Sequence, residues 1–190
     1  MGYKTILRGL MIFLALSLIA CETSNSGSSP VVKTESASSD SGSGKPIYIS
    51  NNIPYKKGTF VPAAVRTECA LGIKLADSID DYGDTYDKNI VPTNNLKAKK
   101  KGRVLKMEII DLLGRAGGAY SGYKYVTVKG TLKENGKVIG TFRAKRYSGG
   151  GFWGGFKGTC AILGRCTNAI AKDIVLWLEN PVKGARLGDN

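Results

Sequence analysis

The sequence contains no histidine among its 190 residues. Histidine is the commonest general base and metal ligand near neutral pH, so its absence excludes serine–histidine and cysteine–histidine catalytic pairs. Cysteine is scarce as well, with four residues and no Cys-x-x-Cys spacing. That pattern argues against a zinc site and against a thioredoxin-like redox motif. We therefore expect no metal, no cofactor and no enzymatic activity.

The sequence also shows no apolar run at its start that is long enough to cross a membrane. The apolar stretch at residues 10–20 is about half as long as the roughly 20 residues that a spanning helix needs. It follows Lys4 and Arg8, and a short apolar segment behind a positive region is typical of a secretory signal. We predict that residues 1–20 are a signal peptide.

This segment ends in Leu18-Ile19-Ala20-Cys21, which resembles the lipobox of bacterial lipoproteins. The resemblance implies that the Cys21 thiol is diacylated, that the peptide is cut before it, and that the new amino terminus is acylated. Because Glu22 follows instead of Asp, the Gram-negative sorting rule implies the outer membrane. Several acyl chains anchor a protein stably. The alternative is an uncleaved signal anchor with a chance cysteine.

Serine and glycine dominate residues 21–45, which predicts a flexible tether behind the lipidated cysteine. Its typical reach is about 25–30 Å. Residues 46–190 then form one basic domain. We expect this domain to be held near the membrane, on the periplasmic side.

The net charge is +13 at pH 7, and nearly all of it falls within residues 46–190. Such a field favours anionic partners: an envelope component such as lipopolysaccharide, phospholipid headgroups or acidic glycans, or an acidic envelope protein. Nucleic acid fits the charge but not the compartment, so we expect no nucleic-acid partner. The alternative is that the charge serves solubility alone.

Hydrophobic periodicity predicts two helices. The first spans residues 62–81, with Pro62 in its first turn, Gly83 at its end and an inward face made of Val65, Cys69, Gly72, Ile73, Ala76 and Ile79. The second spans residues 159–179, and its apolar stripe contains Leu163, Cys166, Ile170, Ile174 and Trp177. Short strands are predicted at residues 47–49 and 89–91, and a basic loop at residues 95–103.

Three further stretches alternate apolar and polar residues, which predicts half-buried antiparallel strands. Their apolar positions are Leu105, Met107 and Ile109, then Val126, Val128 and Leu132, then Val138, Phe142 and Ala144. A three-residue loop at 134–136 would pair Leu132 with Val138 and Val128 with Phe142, which keeps the apolar side chains on one face. On the other face this register places Tyr125 beside Lys145, Thr127 beside Arg143 and Tyr123 beside Tyr147.

Without the short strand at residues 89–91, the order is β-α-β-β-β-α, which predicts an α+β fold, a largely antiparallel mixed sheet with two helices on one face. This order, with the lipobox and the serine-rich tether, is similar to that of small bacterial outer-membrane lipoproteins. It is more distantly similar to the anticodon-binding-like lipoproteins that assist envelope assembly and polysaccharide or curli export. The resemblance implies a binding or assembly accessory role. The alternatives are an inhibitor or immunity lipoprotein and an enzyme acting on envelope glycans or lipids.

The exposed sheet face is the predicted binding surface for an anionic ligand or a partner. Tyrosine rings stack on sugars or pack on partner surfaces, while arginine and lysine meet phosphate or carboxylate groups. The residues of this surface are Tyr123, Tyr125, Lys129, Arg143, Lys145 and Tyr147. An ordinary solvated sheet face is the alternative.

A glycine-rich segment, "GGGFWGGFKGT", precedes the second helix. Gly158 follows Lys157, so the Gly-Lys-Ser/Thr order of a nucleotide-binding P-loop is missing. The segment nevertheless leads into a helix N-terminus, where free N–H groups and Lys157 could hold an anion. We predict a mobile docking loop with Phe152, Trp153 and Phe156 at its tip. The alternative is that these aromatic side chains cover the sheet edge.

Three cysteines remain once Cys21 is lipidated: Cys69, Cys160 and Cys166. In an oxidising compartment the simplest arrangement is one disulfide and one buried thiol. Cys69 lies on the inward face of the first helix, so we expect it to bond either Cys160 or Cys166. The acidic run from Asp77 to Asp87 lacks the spacing of a calcium loop and is expected to be solvated.

Overall fold

The computed structural model describes residues 44–99, 101–114, 123–149 and 158–189. All of them belong to one compact unit, Ser38–Asn190. The predicted signal peptide, the predicted lipidation site Cys21 and nearly all of the predicted tether lie outside the described residues. So do the predicted loop-tip residues Phe152, Trp153, Phe156 and Lys157. These features stay predictions.

The described part is an α+β structure, as predicted. Its elements in chain order are β1 Ile47–Ser50, α1 Ala63–Glu68, α2 Leu71–Thr85, β2 Ile90–Thr93, β3 Arg103–Leu113, β4 Lys124–Glu134, β5 Lys137–Ser148, α3 Thr159–Trp177 and β6 Ala185–Gly188. A short 3-10 turn, Leu96–Ala98, follows β2.

The strands form one six-stranded sheet in the order β2-β1-β3-β4-β5-β6. Strands β3, β4 and β5 form an antiparallel meander. At one end β1 pairs in parallel with both β2 and β3, and at the other end β6 pairs in parallel with β5. The edge strand β2 contains Pro92, which lies opposite Ile49 of β1. The strand β6 has no counterpart in the sequence prediction.

The core lies between one face of the sheet and the helices. The inward residues of β3, β4 and β5 were predicted correctly in most cases, and they share one apolar cluster with α2 and α3. Every residue of the predicted stripe of α3 is buried. Burying each such side chain stabilises the fold by roughly 1.5–3 kcal/mol. Among the described residues no helix is long and apolar enough to cross a membrane.

The first predicted helix is broken in two. Ala70 adopts a left-handed backbone conformation with φ of 47°, so α1 ends before it and α2 begins after it. The buried residues of α2 are Leu71, Gly72, Leu75, Ala76, Ile79 and Gly83, so the predicted inward positions Gly72, Ala76 and Ile79 are confirmed. Ile73 was predicted to be buried, but its side chain is 46% exposed. Gly83 does not end the helix; it lets α2 pass close to Ile90.

The turn between β4 and β5 also differs from the prediction. It is a two-residue turn, Asn135 and Gly136, whose φ angles of 48° and 85° suit a tight hairpin. An irregularity beside Leu132 inserts one extra residue in β5, so that Leu132 lies opposite Gly140. The short turn alone would shift the pairing by one residue and place apolar and polar side chains on the same face. The bulge shifts the pairing by one further residue, which restores the match of the faces. Leu132, Phe142 and Ala144 therefore stay inward, and the predicted three-residue loop is wrong. Val138 was also predicted to point inward, but it is 37% exposed because it lies opposite the exposed Lys133, between the turn and the bulge.

The last strand is fastened by charge pairs. Arg146 donates two hydrogen bonds to the carboxylate of Asp173 on α3, at 2.8 and 2.7 Å, and one to Asp189 at 2.9 Å. Asp189 in turn accepts from the backbone N–H of Tyr147 and donates its own N–H to the carbonyl of Lys145. The end of β6 is thus tied both to β5 and to the helix layer.

Candidate anion-binding face of the sheet

The face of the sheet that points away from the helices carries all six predicted surface residues. They occupy the positions that alternate with the buried residues of β4 and β5, or directly flank them. Tyr123 and Tyr147 are 72% and 45% exposed, respectively. The structure therefore brings these side chains together on one surface, which we call the outer face.

The pairing of these residues is shifted by two positions from the predicted register. Tyr125 lies opposite Tyr147, and Lys129 lies opposite Arg143. Lys145 lies opposite Thr127 instead of Tyr125. The two-residue turn and the bulge cause this shift, because together they change the partner of every residue in β4. The predicted pairs were wrong, although the face was right.

A lysine stands between two tyrosine rings at one end of the outer face. The Lys145 Nζ atom lies 4.5 Å from the ring centre of Tyr125 and 4.7 Å from that of Tyr147. The two rings are 5.4 Å apart and inclined at 61°. Both distances are within the range of cation–π attraction. The two rings therefore hold the ammonium group in a defined place at the surface.

Asp111 supports this cluster and was missed by the sequence analysis. The Tyr125 hydroxyl donates a hydrogen bond to Asp111 Oδ2 at 3.1 Å. Burial, and then this bond, raise the pKa of Tyr125, so its hydroxyl stays protonated. Alternation along β3 would place Asp111 on the inward face. A bulge between Ile109 and Asp111 reverses that alternation.

A row of charges crosses the outer face beside the tyrosine cluster. Lys129 lies between Glu108 of β3 and Arg143 of β5, and Arg143 lies opposite Arg186 of β6. Directly opposed side chains on neighbouring strands have Cβ atoms about 5 Å apart, and like charges there repel. Three cations and one carboxylate in this row leave an excess of positive charge. Arg186 could not be found from sequence, because β6 is too short to show a period.

The cysteines lie on the helix side, away from the outer face. Cys69 is bonded to Cys160, with their Cα atoms 4.8 Å apart. Of the two partners left open for Cys69, the structure therefore has Cys160. Cys166 is free and buried, and its thiol contacts the backbone carbonyl of Lys124 at 3.7 Å. Burial, with Asp189 nearby, raises the pKa of this thiol to about 11.

The acidic run lies along α2 and just beyond it. Burial raises the pKa of Asp80, and the carboxylates of Asp84, Asp81 and Asp77 add to the rise. Across the described ranges, no group of three or more cysteine, aspartate or glutamate side chains is placed to hold a metal ion.

No protein-family model matches the chain, and no curated protein matches it. Among solved structures, the PelC dodecamer from Paraburkholderia phytofirmans is 15% identical, with a TM-score of 0.43 over 68% of this chain and 87% of that chain. A minor lipoprotein from Acinetobacter baumannii is 12% identical, with a TM-score of 0.38 over 70% and 91% of the two chains. Likeness this low assigns neither a family nor a function. It also lends no support to the predicted resemblance to anticodon-binding-like lipoproteins.

Proposed function

We propose that this chain is a lipid-anchored accessory protein of the bacterial outer membrane that binds an acidic glycan on its outer face. The observation that carries the proposal is the position of Lys145 between the rings of Tyr125 and Tyr147. The predicted lipobox cysteine, Cys21, and the serine-rich tether support the anchored location.

An acidic glycan matches both halves of the outer face. Its sugar rings offer flat, weakly polar faces against which tyrosine rings pack. Its carboxylates form charge-assisted hydrogen bonds with ammonium and guanidinium groups. The exposed Tyr123 and Tyr147 supply the first kind of contact, and Lys129 and Lys145 supply the second. A partner with charge alone would not use the tyrosines.

The chemistry of the cluster supports binding over catalysis. A general base must be unprotonated at the working pH so that it can accept a proton from the substrate. The raised pKa of Tyr125 keeps its hydroxyl protonated instead. Asp111 accepts the hydrogen bond of the same hydroxyl. The chain has no histidine that could take over the role. We therefore propose that the outer face holds its ligand without changing it.

The test uses the full chain in detergent micelles and polygalacturonate oligomers, followed by calorimetry at rising salt. The variant Arg143→Gln/Lys145→Gln removes two positive charges from the outer face. The control Lys74→Gln/Lys172→Gln removes two from exposed positions on α2 and α3. We expect the first variant to bind roughly tenfold more weakly and with a flatter salt dependence. An equal loss in the control would show that net charge alone drives binding.

A second variant separates glycan stacking from simple charge attraction. Tyr147→Ala removes one ring from the lysine cluster and leaves every charge in place. We expect it to weaken binding of the oligogalacturonate but not binding of polyglutamate, which has carboxylates and no sugar rings. If both ligands lose affinity equally, or if the wild type prefers polyglutamate, the outer face binds acidic protein and the glycan proposal fails.

A further inference from the structure

A pocket opens where β1 and β3 separate. The two strands pair only through Ile47 with Arg103 and Tyr48 with Val104. The chain after β1 returns to β3 only near Ile109, whose backbone N–H and carbonyl bond to Pro54 and Lys56, both at 2.9 Å. The gap between these two contacts forms a pocket of about 710 Å³. That volume is typical of sites for small ligands, which span about 300–1,000 Å³.

Four lysines line this pocket and no aspartate or glutamate does. Lys97 and Lys99 come from the segment after β2, Lys106 from β3 and Lys133 from β4. From the sequence alone, only a basic loop at residues 95–103 was predicted here. The other two lysines join it because β3 and β4 place Lys133 opposite Val104, two positions from Lys106 and on the same face.

The side chains that line the pocket carry positive charge and include no acidic group. Within the described ranges, no ion pair involves any of the four ammonium groups. Lys99 Nζ lies 4.5 Å from the ring centre of Tyr48, which leaves its positive charge in place. Like charges gathered around a concave surface raise the local positive potential and attract anions.

The segment that carries two of the lysines is held in position. The side chain of Asn95 accepts a hydrogen bond from the backbone N–H of Ala98 at 3.2 Å. The Asn51 side chain, just after β1, donates to the side chain of Asn94. The first bond closes the short turn on itself, and the second fastens its start to the end of β1. Lys97 and Lys99 therefore project from an ordered rim.

We propose that this pocket is a second binding site, separate from the tyrosine cluster, for a compact ligand that carries two or more phosphate groups. Lysine binds phosphate as a compact point charge, and several lysines around one pocket match a polyvalent anion better than a single carboxylate. Leu96 and Val104 add an apolar wall suited to the uncharged part of a ligand. Free pyrophosphate and the phosphorylated headgroup of a glycan share this chemistry.

The test titrates the full chain in detergent micelles with pyrophosphate, orthophosphate and glucose 1,6-bisphosphate. The pocket variant is Lys106→Gln/Lys133→Gln, and both side chains are exposed, so the fold is retained. We expect one pyrophosphate per chain, bound more tightly than orthophosphate. The pocket variant should lose roughly tenfold or more in affinity. The control Lys74→Gln/Lys172→Gln should lose less than about twofold.

Two comparisons complete the test. Tighter binding of the sugar bisphosphate than of pyrophosphate assigns a phosphorylated glycan headgroup, and the reverse order assigns a free phosphate chain. The outer-face variant Arg143→Gln/Lys145→Gln should keep its pyrophosphate affinity. The pocket proposal can therefore be confirmed or refuted independently of the glycan proposal. Absence of saturable binding, equal losses in the control, or an unaffected pocket variant would each overturn the inference.

Discussion

The disulfide between Cys69 and Cys160 joins the break between α1 and α2 to the first turn of α3. Cys69 directly precedes Ala70, the residue in the left-handed conformation. The bond spans 91 positions of the sequence and closes a loop that contains β2 through β5. It therefore links the break between α1 and α2 covalently to α3.

Removal of this bond should cost much of the stability of the domain. In the chain-entropy model, closing a loop of this length stabilises by up to roughly 4–5 kcal/mol. Cys69→Ala should lower the melting temperature, and reductant should lower that of the wild type by a similar amount. Thermal unfolding followed by circular dichroism, with and without reductant, measures both effects.

The variant provides its own control, because reductant has no bond left to break in it. Its melting temperature should be the same in oxidised and reduced buffer. A wild-type protein indifferent to reductant, or mass mapping of a bond between Cys160 and Cys166, would contradict the structure.

The free thiol of Cys166 should be nearly unreactive in the folded protein. Only the thiolate attacks thiol reagents, and a pKa of about 11 leaves roughly one group in a thousand ionised at pH 8. We expect modification at pH 8 at least ~100-fold slower than for an exposed cysteine. The rate should rise about tenfold per pH unit up to pH 11 and should jump on unfolding.

The raised pKa of Cys166 also predicts the pH dependence of stability. The folded state favours the neutral thiol. Its contribution to the free energy of unfolding is therefore fully present below the pKa that the thiol has in the unfolded chain, near 9. It is lost as the pH rises from about 9 through about 11. Cys166→Ala should remove this part of the alkaline loss, as measured by urea unfolding. Fast labelling of the native wild type at pH 8 would refute the burial of the thiol.

Two helical glycines should respond oppositely to the same substitution. A Cβ at Gly72 would meet the backbone carbonyl of Ile53, whereas a Cβ at Gly164 would meet nothing within 4 Å. We expect Gly72→Ala to destabilise by about 1–3 kcal/mol through overpacking. Gly164→Ala should stabilise by up to about 1 kcal/mol, because alanine favours helix. Urea midpoints at constant slope measure both changes, and a Gly72→Ala protein as stable as wild type would disprove the close contact.

The predicted anchor can be tested by cell fractionation. Cys21→Ser removes the thiol that would carry the lipid, so the chain should leave the membrane fraction. Cys166→Ser is the matched control, since it changes a cysteine in the domain and should stay with the outer membrane. A Cys21→Ser protein that still sediments with outer membranes at high salt would exclude lipid anchoring at this residue.

The sequence predicts the elements that carry a long period and misses those that depend on distant contacts. The apolar stripe of α3 and the alternation in β3, β4 and β5 arise because one face of each element is buried. This periodicity can be read directly from the sequence. The strand β6 has only four residues, and its contacts are with β5 and with the distant Arg146, which bonds Asp189 at its end. No local pattern reports such a contact.

The candidate sites show the same division. The residues of the outer face follow from alternation, but their partners depend on the bulge beside Leu132, which no single-strand pattern reveals. Ala70 is a good helix former, yet it occupies the left-handed position that breaks the first helix. The lysine pocket forms only because the register of β3 and β4 brings Lys106 and Lys133 together and because β1 separates from β3. It could therefore not be predicted from the basic loop alone.

The edge strand β2 has a further consequence for how other chains can approach. The carbonyl of Asn89, just before β2, accepts from Ile47 of β1, and that of Thr93 accepts from Asn51, just after β1. The backbone polar groups of Ile90 and Pro92, which lie between them, therefore point outward. Pro92 has no N–H, and the N–H of Ile90 is already donated to the carbonyl of Lys88 at 2.9 Å. This stretch therefore offers no backbone donor to an incoming strand. An incoming strand could bond this stretch only by donating to the outward carbonyl groups of Ile90 and Pro92, so a complete ladder of strand hydrogen bonds cannot form there.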